Sequence, residues 1–241
     1  MGRIFEVRKE KMKKTELKKA RVYSRYGKEI FIAAKNGGTN LESNRTLKHL
    51  IERAKKDDVP MDVIQRNIKK AEGDDSTHYE PVRYEGFGPG GSAVIVDTLT
   101  ENVNRTVAEV RHCFTKVGST LGVNGSVEHM YTHLSRLVVE ADDAEAVLET
   151  LLEHDIEPND ISASENGVHI EGGGYLLDDM ETALRESGYT IAYSTSGWFP
   201  HNSVELQGET LEQFEKMLGM LNDLDDVQSV YHNVENALHN T

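Results

Sequence analysis

Lysine and arginine are the side chains whose number and spacing could do chemistry in this sequence. Residues 1–72 carry 20 Lys and Arg against 10 Asp and Glu, a net of +10. The remaining 169 residues carry 7 against 31, a net of −24, so the overall −14 conceals two regions of opposite sign. Ammonium and guanidinium groups neutralise phosphates and release condensed counterions, which gives affinity for nucleic acid without reading its sequence. The candidates for that chemistry are Lys13, Lys14, Lys18, Lys19, Arg21, Arg25, Lys28, Arg53, Lys55, Lys56, Lys69 and Lys70, extended by Arg105 and Lys116. Tyr23, Tyr26 and Phe31 lie among them and could stack on bases, although their helical spacing assigns them first to a core. An acidic remainder is repelled by phosphate unless it faces away or meets a protein, which points to a two-faced molecule.

Other chemistries find less support. Carboxylates abound, yet no pair and no His/Cys/Asp cluster has the spacing of a general acid, base or metal site, so neither an enzyme nor a cofactor is expected. His129 and His133 stand four apart without a His-Glu-x-x-His motif and read as surface histidines. Gly86-Phe87-Gly88-Pro89-Gly90-Gly91 matches Gly-x-Gly-x-x-Gly, but that fingerprint needs a helix directly after it, and a β-branched run follows instead. The run reads as a hairpin loop whose glycines serve either the turn itself or the approach of backbone amides to phosphate near Arg105. Cys113 is the single cysteine and cannot staple the fold, which fits a reducing cytoplasm. No apolar run approaches the ~18 residues of a membrane span, and no apolar segment follows the basic N-terminus as in a secretory signal. A cytoplasmic protein without a membrane partner is expected.

The elements that must position these cations follow from periodicity. Residues 1 to about 14 read as a mobile arm or a frayed helix start, and a helix is expected from about Thr15 to Gly37-Gly38. A second helix starts from a cap at Ser43 or Asn44 with Leu47, Leu50, Ile51 and Ala54 inward. A third begins at Pro60 with Ile64, Ile68 and Ala71 inward and ends at Gly73. Val82–Phe87 and Ala93–Leu99 read as paired strands, and Asn102 caps a helix whose apolar stripe is Val107, Val110, Phe114 and Val117. Arg105, His112 and Lys116 fall on the opposite face of that helix. Ser126–Thr132 reads as a further strand.

From Arg136 to Ser194 the order is βαββαβ, with a hairpin at Asn166-Gly167, which is the ferredoxin-like unit. Val204–Gln207, a helix through Leu211, Phe214, Met217, Leu218 and Leu221, and Val227–Tyr231 supply one more βαβ. The middle segment alone has too few elements for a core, so it is expected to pair with this C-terminal βαβ. The predicted fold is α+β with three domains: a basic three-helix bundle (1–75), a discontinuous ferredoxin-like middle domain (82–134 plus 201–236), and a second ferredoxin-like domain (135–200) inserted in it.

These residues resemble the YebC/PmpR family of probable transcriptional regulators, which includes the mitochondrial translational activator of cytochrome c oxidase. The resemblance rests on Tyr84-Glu85-Gly86-Phe87-Gly88-Pro89-Gly90-Gly91, Asn104-Arg105-Thr106-Val107-Ala108-Glu109-Val110-Arg111-His112 and Gly125-Ser126-Val127. Glu52-Arg53-Ala54-Lys55, Val59-Pro60, Ile68-Lys69-Lys70-Ala71, Asp226-Val227-Gln228 and Val230-Tyr231-His232-Asn233 extend it over nearly the whole chain. It implies one helical and two α+β domains, the third inserted in the second. It also implies a cytoplasmic, non-enzymatic regulator of gene expression with a nucleic-acid partner. That partner is either DNA, beside the transcription machinery, or ribosomal RNA, on ribosomes stalled at proline-rich stretches. The family opens with a Lys-Trp-Ala-Asn-Ile run where this chain has Ile4-Phe5-Glu6-Val7-Arg8, and Met61 stands where a lysine is usual.

Overall fold

The computed structural model describes residues 2–73 and 77–237, with side chains from Thr15 onward. Helix α1 spans Gly2–Gly37 and so begins well before the expected Thr15. Nothing after Gly2 in that opening stretch breaks a helix, and its Lys, Glu, Arg and Met are good helix formers. α2 (Arg45–Lys56) starts at Asn44, whose Oδ1 accepts from the Leu47 N–H at 3.0 Å. The Asn44 amide also donates to the carbonyls of Ala33 (2.9 Å) and Gly38 (2.7 Å), tying the α1–α2 turn to both helices. α3 (Met61–Glu72) follows Pro60. It crosses α1 closely at Gly27, where a Cβ would lie 2.9 Å from the Asn67 amide nitrogen. Ile30, Leu47, Ile64 and Ala54 fill the bundle core, with Tyr23 and Tyr26 against it.

The chain continues through β1 (Glu80–Phe87), β2 (Ala93–Thr100), α4 (Val103–Thr115), β3 (Thr120–Leu121), β4 (Tyr131–Val139), α5 (Ala144–Glu153), β5 (Asp160–Ser164), β6 (Gly167–Gly173), α6 (Leu177–Glu186), β7 (Ile191–Pro200), α7 (Gly208–Asn222) and β8 (Val227–His232). One sheet has the order β3-β1-β2-β8 and the other β5-β6-β4-β7, and every strand pair is antiparallel. The second sheet, with α5 and α6 against it, is the ferredoxin-like arrangement inserted between β3 and α7. In the first sheet α4 and α7 bury Phe114, Phe214 and Met217 against β1, β2 and β8. Three domains therefore stand in the order expected.

Individual strands differ from the expectation. Ser126–Thr132 is not a strand of its own: a short 3-10 turn at Glu128–Met130 leads into β4, which runs unbroken from Tyr131 to Val139 through the mostly polar residues 132–136. β7 likewise extends through Ser196-Gly197-Trp198-Phe199-Pro200, pairing Tyr131 with Pro200. Val204–Gln207 forms only a bridge, Val204 to Val234, because no neighbouring strand extends alongside it. His129 sits in the 3-10 turn and His133 in β4, so the two do not share a strand. His133 stacks on Trp198 with ring centroids 5.0 Å apart.

Two local arrangements carry predictions. Glu85 is 2% exposed, and its carboxylate accepts from the N–H groups of Gly125, Val127 and Glu128, each at 2.8 Å. Burial alone would raise its pKa, but these donors more than offset that and hold it below the usual range. Glu85→Ala strands three donors and is expected to cost about 3 kcal/mol in chemical denaturation. Glu85→Gln recovers part of that loss through its remaining acceptor. In the hairpin turn, Gly90 has φ +67, and a Cβ there would meet the Leu206 Cδ2 at 2.5 Å. Gly90→Ala combines left-handed strain with that clash and is expected to destabilise by about 2–3 kcal/mol by the same measurement. The turn and its packing thus require this glycine for structural reasons.

Candidate nucleic-acid interface

Three cations of α1, Arg21, Arg25 and Lys28, repeat at i, i+4 and i+7 and so share one helical face. That face meets the C-terminal end of α7. Arg21 Nη1 donates to Asp223 Oδ1 at 2.5 Å, and Arg25 Nη2 to the Asn222 carbonyl at 3.1 Å. Lys28 Nζ donates to the carbonyls of Leu99 (3.1 Å) and Asp225 (2.9 Å) and to Asp226 Oδ1 at 2.7 Å.

Asp226 is the centre of this seam. Its Oδ2 accepts from Arg105 Nη2 at 2.5 Å and lies 3.0 Å from the Thr100 hydroxyl and 2.8 Å from that of Thr106. Burial would raise this carboxyl, yet Lys28, Arg105 and Thr106 outweigh it and hold the group far below the usual carboxylate range. Arg105 is positioned by Asn102, whose side chain caps α4 by accepting from the Arg105 N–H. Three of the candidate phosphate-binding cations, Arg21, Arg25 and Lys28, are therefore engaged between domains, and a fourth, Arg105, is engaged within the middle domain by the same Asp226. Sequence reasoning quoted Asp226 only for the family resemblance and assigned neither it nor Asp223 to these cations. The run Asp223-Leu224-Asp225-Asp226 directly after a helix is the signal that could have found them.

A second contact joins the bundle to the inserted domain. Buried His49 on α2 lies 3.3 Å through Nδ1 from Asp178 Oδ1 on α6, and Arg185 reaches Glu52 at 3.7 Å.

The other candidates divide by position. Lys18, Lys19, Lys55, Lys56 and Lys69 are exposed and enter none of the ion pairs among the described residues. A hydrogen bond from the Tyr26 hydroxyl to Asp57 holds the α2 end, with Lys55 and Lys56, against the part of α1 that follows Lys18 and Lys19. Lys70 lies with Lys35 over the Phe31 ring, at 5.2 and 5.3 Å from its centroid. Phe31 itself is buried and unavailable for stacking on bases.

Arg53 lines a cavity of about 800 Å³ between α1, α2 and residues 77–81, together with Glu29. Lys116 is exposed at the far end of α4, about 16 Å along the axis from Arg105, so the structure does not bring those two together. The side chains of Lys13 and Lys14 lie outside the described residues.

Among the described residues no group of His, Cys, Asp and Glu could hold a metal ion. Cys113 is buried, and burial first of all pushes its thiol up to about 11. No described helix is long and apolar enough to cross a membrane.

Comparison with known proteins agrees with the three-part layout. Residues 3–74 match the TACO1/YebC protein N-terminal domain, and residues 79–234 match the TACO1/YebC second and third domain. A probable transcriptional regulatory protein of Alteromonas mediterranea is 46% identical over 235 residues, covering 97% of this chain and 98% of that protein. One of Vibrio cholerae is 46% identical over 237 residues, covering 98% and 99%. The crystal structure of a conserved hypothetical protein from Aquifex aeolicus superposes with a TM-score of 0.70 at 35% identity, covering 90% of each chain. The expected family is thereby established: with both domain models matched and relatives aligned end to end, the chain belongs to the TACO1/YebC family.

Proposed function

We propose that this protein is a non-enzymatic regulator of transcription that binds duplex DNA through the exposed cations of its helical domain. The observation that carries this reading is the separation of the cations into two sets. One set is neutralised in the seam with the middle domain, whereas Lys18, Lys19, Lys55, Lys56 and Lys69 are exposed on the bundle, outside the ion pairs of the described residues. A helical surface needs fewer lysines than this for solubility, and such groups gain most from releasing the counterions of a polyanion. The acidic α+β domains complete the two-faced arrangement, turned toward protein rather than phosphate. Relatives named as probable transcriptional regulatory proteins support transcription as the setting.

Titration of labelled duplex DNA by fluorescence anisotropy across a salt series tests the proposal. Five phosphate contacts predict that log Kobs falls with log salt at a slope of about −4 to −5. A slope near zero, or no saturable binding at about 50 mM salt, contradicts it.

A further inference from the structure

The end of α7 presents α1 with what a nucleic-acid backbone would present. Helix C-termini carry unsatisfied carbonyls and about half a negative charge. Here the Asn222 carbonyl accepts from Arg25 and the adjacent Asp223 carboxylate accepts from Arg21. We infer that this end of α7 is an intramolecular phosphate mimic, and that nucleic acid competes with it for Arg21 and Arg25. The inference rests on the nucleic-acid reading above and adds a regulation of that site.

The contact has two tiers, and they differ in burial. At the inner tier Lys28 and Asp226 have side chains only 11% and 5% exposed, and Lys28 has three acceptors. Such a pair is costly to break. At the outer tier Arg21 and Asp223 are 25% and 61% exposed, so their pair is solvated and contributes little. A phosphate arriving at the bundle surface can therefore take Arg21 from Asp223 and Arg25 from the Asn222 carbonyl while the Asp226 anchor stays closed. Arg21 lies one turn or less beyond Lys18 and Lys19 on α1, so the released guanidinium would extend the exposed lysine surface.

The test compares the full-length chain with Asp223→Asn and Asp225→Asn in duplex DNA titrations. Each variant removes one negative charge from the same segment. The Asp225 carboxylate is exposed and enters no ion pair among the described residues, so it controls for net charge. Asp223→Asn is expected to bind about fivefold tighter than both the wild type and Asp225→Asn, because phosphate no longer has to displace a carboxylate from Arg21. Hydrogen exchange gives the second reading: saturating duplex should speed exchange of the amides in the last turn of α7 and leave β8 unchanged. Equal affinity of the three proteins, or an α7 end unmoved by bound duplex, overturns the mimic alone. No binding by any of them overturns the nucleic-acid reading together with it.

Discussion

Replacing Asp226 with alanine is expected to lower stability by about 3–5 kcal/mol at neutral pH, the largest loss of any single substitution considered. Asp226 is buried, and its carboxylate joins three parts of the chain: Lys28 on α1, Arg105 and Thr106 on α4, and Thr100 at the end of β2. Its removal leaves the buried Lys28 ammonium with carbonyl acceptors but no counter-charge. Because that ammonium belongs to the bundle, the helical domain should release first, seen as a separate early transition in urea.

The pH dependence has a definite sign. Asp226 has a depressed pKa in the folded state, so its contribution is fully present above the unfolded carboxylate value of about 3.9 and fades as pH falls through the folded value. The gap between wild type and Asp226→Ala should hold constant above about pH 5 and shrink below about pH 4. A double-mutant cycle with Lys28→Met should return a coupling above about 1 kcal/mol, since the two groups are in direct contact.

Charge reversal on the bundle is expected to have the largest functional effect. Changing Lys18, Lys55, Lys56 and Lys69 to glutamate removes four phosphate contacts and puts four carboxylates in their place. Duplex affinity at about 50 mM salt should fall by a factor of 100 or more, and the salt slope should approach zero. All four side chains are exposed and outside the ion pairs of the described residues, so the fold should be kept, with each change within about 0.5 kcal/mol. Unchanged circular dichroism and melting temperature separate lost binding from lost structure. Reversal of Lys116, at the opposite end of α4, should change affinity by less than about threefold, because it stands apart from the bundle lysines.

Much of the fold could be read from local signals that stand close together in the chain. Asn44 and Asn102 cap helices where expected, Asn166-Gly167 turns the β5–β6 hairpin, and Gly90 occupies a left-handed position between β1 and β2. What escaped reading depends on partners distant in sequence. β4 and β7 run beyond the strands that periodicity marks, because Ser135 and Ser196 both donate to the Gly174 carbonyl, at 3.1 and 2.6 Å, which satisfies their hydroxyls inside the sheet. Val204–Gln207 has strand-like residues but forms a bridge with Val234 rather than a ladder, and the Asn236 side chain takes the place of a strand beside Leu206.

The same distinction governs the site. Charge counting located the basic domain. It could not show that Arg21, Arg25 and Lys28 face acceptors about 200 residues away in another domain, or that Arg105 meets Asp226 from the other half of its own discontinuous domain, because such pairing is set by tertiary packing. Glu85 was noticed within the Gly-rich block, whereas its role as acceptor for the 125–128 loop is visible only in three dimensions.

The most direct measurement sets DNA against the ribosome under one set of conditions. Full-length protein is titrated against a promoter duplex and a random duplex, and co-sedimented with ribosomes, across a single salt series. The transcriptional account predicts that binding to ribosomes is lost first and that the promoter duplex is retained over random sequence as salt rises. Ribosome association that persists at salt sufficient to strip the protein from both duplexes would contradict it and place the basic bundle on ribosomal RNA.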